Sequence, residues 1–179
     1  MGTGGSRRQW QATRQLARLG LLTGMALVLL LVEASLPRPL PWMRLGLSNA
    51  AVLAALLLFG AGPALGVSFA KLFMGGLLGG GLAGPAFVIG GTAGLASVTA
   101  MALLYRHVPR AFSPVGLSIA GALVHQLTQL AVAAVFLGHS GLFVLLPMFL
   151  LSGVLSGLLT GLATYFALQR LAHLDRHEA

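Results

Sequence analysis

Long apolar runs, broken only where proline, glycine or arginine cluster, decide most of what this chain can become. A run of about 20 mostly apolar residues crosses a bilayer as one helix. In hydrocarbon every backbone N–H and C=O must be bonded within the protein, so such runs fold as helices. Six can be marked. The first extends from Arg18 to Leu36 and stops at Pro37-Arg38-Pro39-Leu40-Pro41. The second opens at Ser48-Asn49 and ends at Phe59; it is short for a crossing, so it must tilt or borrow from the loop before it. Gly60-Ala61-Gly62-Pro63 signals a turn, and the third run covers Ala64 to Leu78. Gly79-Gly80-Gly81-Leu82-Ala83-Gly84 separates it from the fourth, Pro85 to Tyr105. The fifth covers Val115 to Leu137, and Gly138-His139-Ser140-Gly141 turns into the sixth, Leu142 to Leu168, where Pro147 predicts a kink. The soft boundaries around residues 59–84 leave counts of five and seven open.

Charge is sorted along these runs. With the N-terminus in the cytoplasm, Arg7, Arg8, Arg14, Arg18, Arg106, Arg110, Arg170 and Arg176 all fall inside. Arg38 and Arg44 fall outside, and Lys71 lies within a span. Arginine on the cytoplasmic flanks is the orientation signal of multi-pass proteins. The expectation is an all-α integral membrane protein of the inner (cytoplasmic) membrane, about six transmembrane helices in one bundle, both termini cytoplasmic. A basic N-terminal segment (1–17) and a tail (170–179) flank the membrane domain (18–169). Arg7-Arg8 before an apolar run could open a signal peptide, but Glu33 and the prolines after the run argue against cleavage. The net charge of +8 could point to nucleic acid. The arginines sit at the ends of apolar runs, so they read as topology signals and contacts to anionic lipid head groups.

Chemistry is constrained as tightly. There is no cysteine, and the acids are Glu33, Asp175 and Glu178 alone. Thiol catalysis, sulfur-ligated metals and most paired-carboxylate or metal-assisted mechanisms therefore lack their residues. No catalytic residue, metal or cofactor is assigned, and the chain is read as a non-enzyme.

Polar residues within spans are costly, which makes them functional candidates. Glu33 ends the first helix, Asn49 opens the second just after Arg44, Lys71 lies in the third, and His125, Gln126 and Gln129 lie in the fifth. His125 and Gln129 are four apart and share a face. Each has a simpler reading: Lys71 snorkels or pairs with Glu33, His125 bonds a neighbouring carbonyl, the two glutamines tie helices together, and Asn49 caps its helix or sits near the cap. Taken together, they are expected to line one outward-facing pocket, with Lys71 and His125 as its floor and Glu33, Arg44 and Asn49 as its rim.

Glycine recurs at helical spacing. Gly76, Gly80 and Gly84 form one series, and Gly153, Gly157 and Gly161 make a ridge beside Ser152, Ser156 and Thr160. Gly20 and Gly24 form a pair on the first helix, as Gly90 and Gly94 do on the fourth. Small residues let backbones approach closely where lipid supplies little hydrophobic drive. Internal packing explains most such pairs; Gly20 and Gly24 are the best candidates for docking another membrane protein.

Two segments carry a resemblance. Arg44-Leu45-Gly46-Leu47-Ser48-Asn49, preceded by Glu33 and the proline-rich loop, and Gly116-Leu117-Ser118-Ile119-Ala120-Gly121-Ala122-Leu123-Val124-His125-Gln126 together resemble the Gx transporter family. Its members often bear the label heptaprenyl diphosphate synthase component I. The resemblance covers residues 20–170 and extends to the substrate-binding S-components of energy-coupling factor (ECF) transporters. It implies a subunit that binds a small substrate near the outer face and works with a transmembrane coupling subunit and ATPase subunits. It also implies a coupling-subunit dock at Gly20 and Gly24, where the family's usual small residue is alanine. The enzyme label meets an obstacle in the residues. Diphosphate held through Mg²⁺ needs several carboxylates, and the one aspartate is Asp175. No Gly-x-x-x-x-Gly-Lys-Ser/Thr loop is present either, so ATP hydrolysis would belong to partners. The alternatives are a noncatalytic membrane subunit in isoprenoid or quinone synthesis, and a standalone proton-coupled transporter in which Glu33 and His125 titrate.

Overall fold

The computed structural model describes residues 3–36, 46–79, 81–82, 84–108 and 111–177. The described residues form six α-helices and one 3₁₀ turn: α1 (Thr3–Ser35), α2 (Leu47–Phe59), α3 (Ala61–Leu78), α4 (Pro85–His107), α5 (Pro114–Leu137), the 3₁₀ segment Ser140–Leu145, and α6 (Leu146–His177). Among the described residues, five stretches are long and apolar enough to cross a membrane. The starts follow local chemistry. Pro85 and Pro114 each occupy the first helical position, where the missing N–H costs nothing. Ser113 caps α5 by accepting from the Gly116 N–H at 3.1 Å.

Several boundaries differ from the sequence expectation. α1 is helical from Thr3 and α6 continues to His177, so helix runs unbroken through positions 17–18 and 169–170. Pro147 does not kink α6. It sits in the first turn, and the backbone change is the 3₁₀ segment ahead of it. Pro63 falls likewise in the first turn of α3, which starts at Ala61.

α2 is the centre of the bundle. At 13 residues it is about 20 Å long at 1.5 Å per residue, short of a hydrocarbon core of about 30 Å. Protein surrounds it: α1, α3 and α6 pack along it, with α4 touching it as well. Ala51, Val52 and Ala55 are fully buried, and Leu53 and Leu56 nearly so. A helix that ends at membrane depth is tolerable because its termini meet protein groups rather than lipid.

Cross-helix pairs fix the directions. Gly161, Gly157 and Gly153 of α6 lie against Val115, Ile119 and Gln126 of α5, a register that runs antiparallel. Gly91 and Gly76 set α3 against α4 in the same sense, through Leu72 and Phe87. Thr160 and Thr164 of α6 meet Gly46 and Ala50, so α2 and α6 run parallel. The α1–α2, α3–α4 and α5–α6 connections therefore share one end of the bundle. The start of α1, the end of α6, and the α2–α3 and α4–α5 junctions share the other, which also carries Arg14, Arg18, Arg106 and Arg170. Arg38 and Arg44 lie outside the described residues. Arginine sorting predicts that the terminal end is cytoplasmic. Single cysteines tested with an impermeant thiol reagent should label at His139→Cys in intact cells and at Arg106→Cys only after lysis. The reverse pattern would invert the topology.

Candidate functional site

The site is built around the first turn of α2, which three other helices hold. Glu33, near the end of α1, is buried, and its Oε1 accepts from the Gly46 N–H at 2.6 Å. Gly46 turns the chain into α2 with φ 74°, a left-handed conformation that glycine adopts without steric cost. From α6, the Thr160 hydroxyl donates to the Gly46 carbonyl at 3.2 Å, and Thr164 donates to the Ala50 carbonyl at 3.2 Å. From α3, Lys71 Nζ donates to Asn49 Oδ1 at 2.6 Å and to Ser48 Oγ at 3.4 Å. An unmet polar group at this depth would cost several kcal/mol, and these bonds are what lets a charged helix start sit inside the bundle. A carboxylate at a helix N-terminus is further favoured by the helix dipole.

Asn49 lies near the cap of α2 rather than at it; Gly46 holds the cap position, and the Asn49 side chain turns to Lys71. The bond also places Asn49 and Lys71 together rather than apart as rim and floor. Glu33 and Lys71 both converge on α2, each through its own partners on that helix.

A cavity of about 320 Å³ opens beside this turn. Of the seven residues singled out in the sequence, Glu33, Asn49, Lys71, His125, Gln126 and Gln129 line it; Arg44 lies outside the described residues. The facing wall is made by glycines of α3 and α4, among them Gly75, Gly76, Gly90 and Gly94, with Phe87. Most lining positions fall in the halves of α3, α4, α5 and α6 on the side where α1, α3 and α5 end; Ser68, Ala122 and His125 lie near the middle of α3 and α5. The cavity thus reaches from mid-bundle toward the end opposite Arg14, Arg18, Arg106 and Arg170. A ligand pocket is typically a concave, mostly apolar space of about 300–1,000 Å³ with a few placed polar groups, and this one lies at the small end.

Gln126 is the least settled of these side chains. Its Nε2 donates to Ser152 Oγ at 3.0 Å, tying α5 to α6 as interhelical glue would. Its Oε1 is buried with no hydrogen-bond partner among the described residues. Ser152 cannot supply the missing proton, because its hydroxyl donates to the Phe149 carbonyl at 2.8 Å.

Sequence reasoning passed over Ser48, Ser68 and Ser156, which also line the cavity. A serine in an apolar run carries little signal, since its hydroxyl can bond its own helix. Ser156 was visible beside the glycine ridge, and its spacing from Thr160 and Thr164 marks a polar stripe that faces α2.

The glycine pairs divide by environment. The α6 ridge is filled by α5: a Cβ at Gly157 would lie 2.6 Å from Ile119 Cα, and one at Gly161 would lie 2.7 Å from Val115 Cα. Gly20 and Gly24 face outward from α1, and a Cβ on either meets nothing within 4 Å.

Comparison with known proteins adds one match. No curated protein and no solved structure matches the chain. Residues 22–167 match the family described as heptaprenyl diphosphate synthase component I. That span takes in α2 to α5 whole, the cavity, the part of α1 from residue 22 onward and most of α6. An all-helical, membrane-type bundle matched over most of its length in this way is a member of the heptaprenyl diphosphate synthase component I family.

Proposed function

We propose that this chain is a substrate-binding membrane subunit for uptake of a small molecule, with transport energised by a coupling subunit and ATPase partners. One observation carries the reading. Six polar residues drawn from four helices line a single cavity, on the side of the bundle away from Arg14, Arg18, Arg106 and Arg170. Internal neutralisation alone would not require a cavity among them. With the arginine-rich end in the cytoplasm, the cavity faces outward, as capture of an external solute needs. Glu33, Arg44, Asn49, Lys71, His125, Gln126 and Gln129 are the proposed binding residues, and the protein performs no chemistry on its ligand.

The outward face of α1 at Gly20 and Gly24 is the proposed dock for the coupling subunit. No described residue packs there, so a larger side chain would leave the fold alone and block only a close helix approach from outside. Gly24→Leu should leave ligand retention by the isolated protein within about twofold and cut co-purification of a coupling subunit and ATPases at least tenfold. Normal complexes with Gly24→Leu would remove the dock from this face.

The family description supports a second reading, a noncatalytic membrane subunit of heptaprenyl diphosphate synthesis. Affinity purification from the native membrane separates the two. Coupling and ATPase subunits support uptake, a soluble prenyl synthase supports the second reading, and neither supports a standalone proton-coupled transporter. Mass spectrometry of small molecules retained by gently purified protein is the direct test of the uptake reading.

A further inference from the structure

A second, much smaller cavity shares Asn49, Ala122 and Ser156 with the first and extends between α2, α4, α5 and α6 to Leu53 and Met101. We propose that it binds one water molecule, which joins Asn49 of α2 to Ser97 of α4 and Ser118 of α5. That water anchors the side chain to which Lys71 bonds, whatever the larger cavity holds.

Size and polarity point the same way. The cavity measures about 20 Å³, more than the ~10–15 Å³ that one water requires and far less than any substrate would. Asn49, Ser97, Ser118, Ser156 and Thr160 line it beside Leu53, Met101, Ala122 and Gly157. Apolar cavities in proteins stay dry, whereas polar ones of this size take up water. The position fits as well. α2 packs along α1, α3 and α6, and the small cavity lies on its remaining side, where it faces α4 and α5.

The hydrogen bonds around it call for a molecule that both donates and accepts. Ser118 lines the cavity and is 5% exposed, yet its hydroxyl forms no hydrogen bond among the described residues. A helical serine can bond a carbonyl one turn back; this one does not, and a buried hydroxyl left unmet is destabilising. Asn49 adds a donor. Lys71 has donors only, so the amide oxygen must face it, as it does at 2.6 Å, and the amide NH₂ is left for another acceptor. Ser97 adds an acceptor. Its hydroxyl donates to the Gly121 carbonyl at 2.7 Å, so its oxygen can only accept from a newcomer. One water meets all three groups: it accepts from Asn49 Nδ2 and Ser118 Oγ and donates to Ser97 Oγ. Three bonds are typical of a buried water. A monovalent cation is the rival occupant. It needs oxygen on every side, whereas Asn49 presents N–H here and holds the Lys71 ammonium on its other arm.

Ser118→Ala in the full chain, reconstituted in lipid nanodiscs, separates a wet cavity from a dry one by the sign of its effect. With the water bound, the variant loses a bonded hydroxyl, and its melting temperature should fall by about 2–4 °C. In a dry cavity it loses only an unmet hydroxyl, so an unchanged or raised melting temperature would overturn the proposal. A crystal structure at a resolution that shows ordered solvent should place density within about 2.5–3.2 Å of Asn49 Nδ2, Ser97 Oγ and Ser118 Oγ. Clear maps with no density there would overturn it even if Ser118→Ala melts lower. The cation is tested by melting the parent chain in sodium chloride and in choline chloride. Equal melting is the expected result. A higher melting temperature in sodium that Ser118→Ala abolishes would give the site to a cation and overturn the water.

Discussion

Gly157→Leu should prevent the bundle from folding. A Cβ at that position would lie 2.6 Å from Ile119 Cα and 3.0 Å from Ile119 N. Both are backbone atoms in the second turn of α5, so no rotamer change relieves the contact and the two helices must separate. Overpacked cores ordinarily lose about 1–3 kcal/mol. Here the displaced object is a whole helix, and the loss should reach about 4 kcal/mol or more, the range reserved for severe core defects. Separating α5 from α6 also pulls Gln126 from Ser152, which joins the same two helices. Thermal unfolding in detergent should show little or no cooperative transition for Gly157→Leu. Gly24→Leu, whose added atoms meet open space, should unfold within a few degrees of the parent chain. Equal melting of the two variants would mean that α5 and α6 do not approach backbone to backbone.

Gly46→Val should damage the fold and the cavity together. The residue has φ 74°, which costs an L side chain about 1–2 kcal/mol and a β-branched one more. Its Cβ would also lie 2.8 Å from Ser156 Oγ and 3.3 Å from Thr160 Oγ1. The combined loss should be about 2–4 kcal/mol, the sum of backbone strain and modest overpacking. Because Gly46 carries both the N–H that Glu33 accepts and the carbonyl that Thr160 bonds, ligand retention should fall with stability. The two causes separate experimentally. Adding Ser156→Ala removes the nearer clash but not the strain, so Gly46→Val with Ser156→Ala should recover only part of the lost melting temperature. Full recovery would show that the left-handed backbone is not required at this turn.

Much of the architecture was legible because hydrocarbon simplifies the choice. Apolar runs had to become helices, and proline and glycine marked where they begin and end: Pro85 and Pro114 open α4 and α5, and Gly60 separates α2 from α3. The ends of the outer helices were less legible. The first turns of α1 and the last turns of α6 are polar, and hydropathy registers a helix only while it stays apolar. Asn49 was legible as a residue that matters but not as a partner. A cap preference reads the local chain, whereas its bond to Lys71 joins residues 22 apart in sequence.

The sequence by itself therefore determined the material: about six apolar helices in order, the arginines that mark one end, and a short list of polar residues that hydrocarbon does not tolerate alone. Scarcity made that list short, since few other side chains in the spans could bind anything polar. The tertiary structure alone decided which of them meet. It placed the shortest helix at the centre, so that α1, α3 and α6 all reach its first turn. It filled the Gly153–Gly157–Gly161 ridge with α5 and left Gly20 and Gly24 open on α1. The periodicity of a helix states which residues share a face, but not which helix will cover that face. That depends on close packing between segments far apart in the chain, which local patterns do not encode.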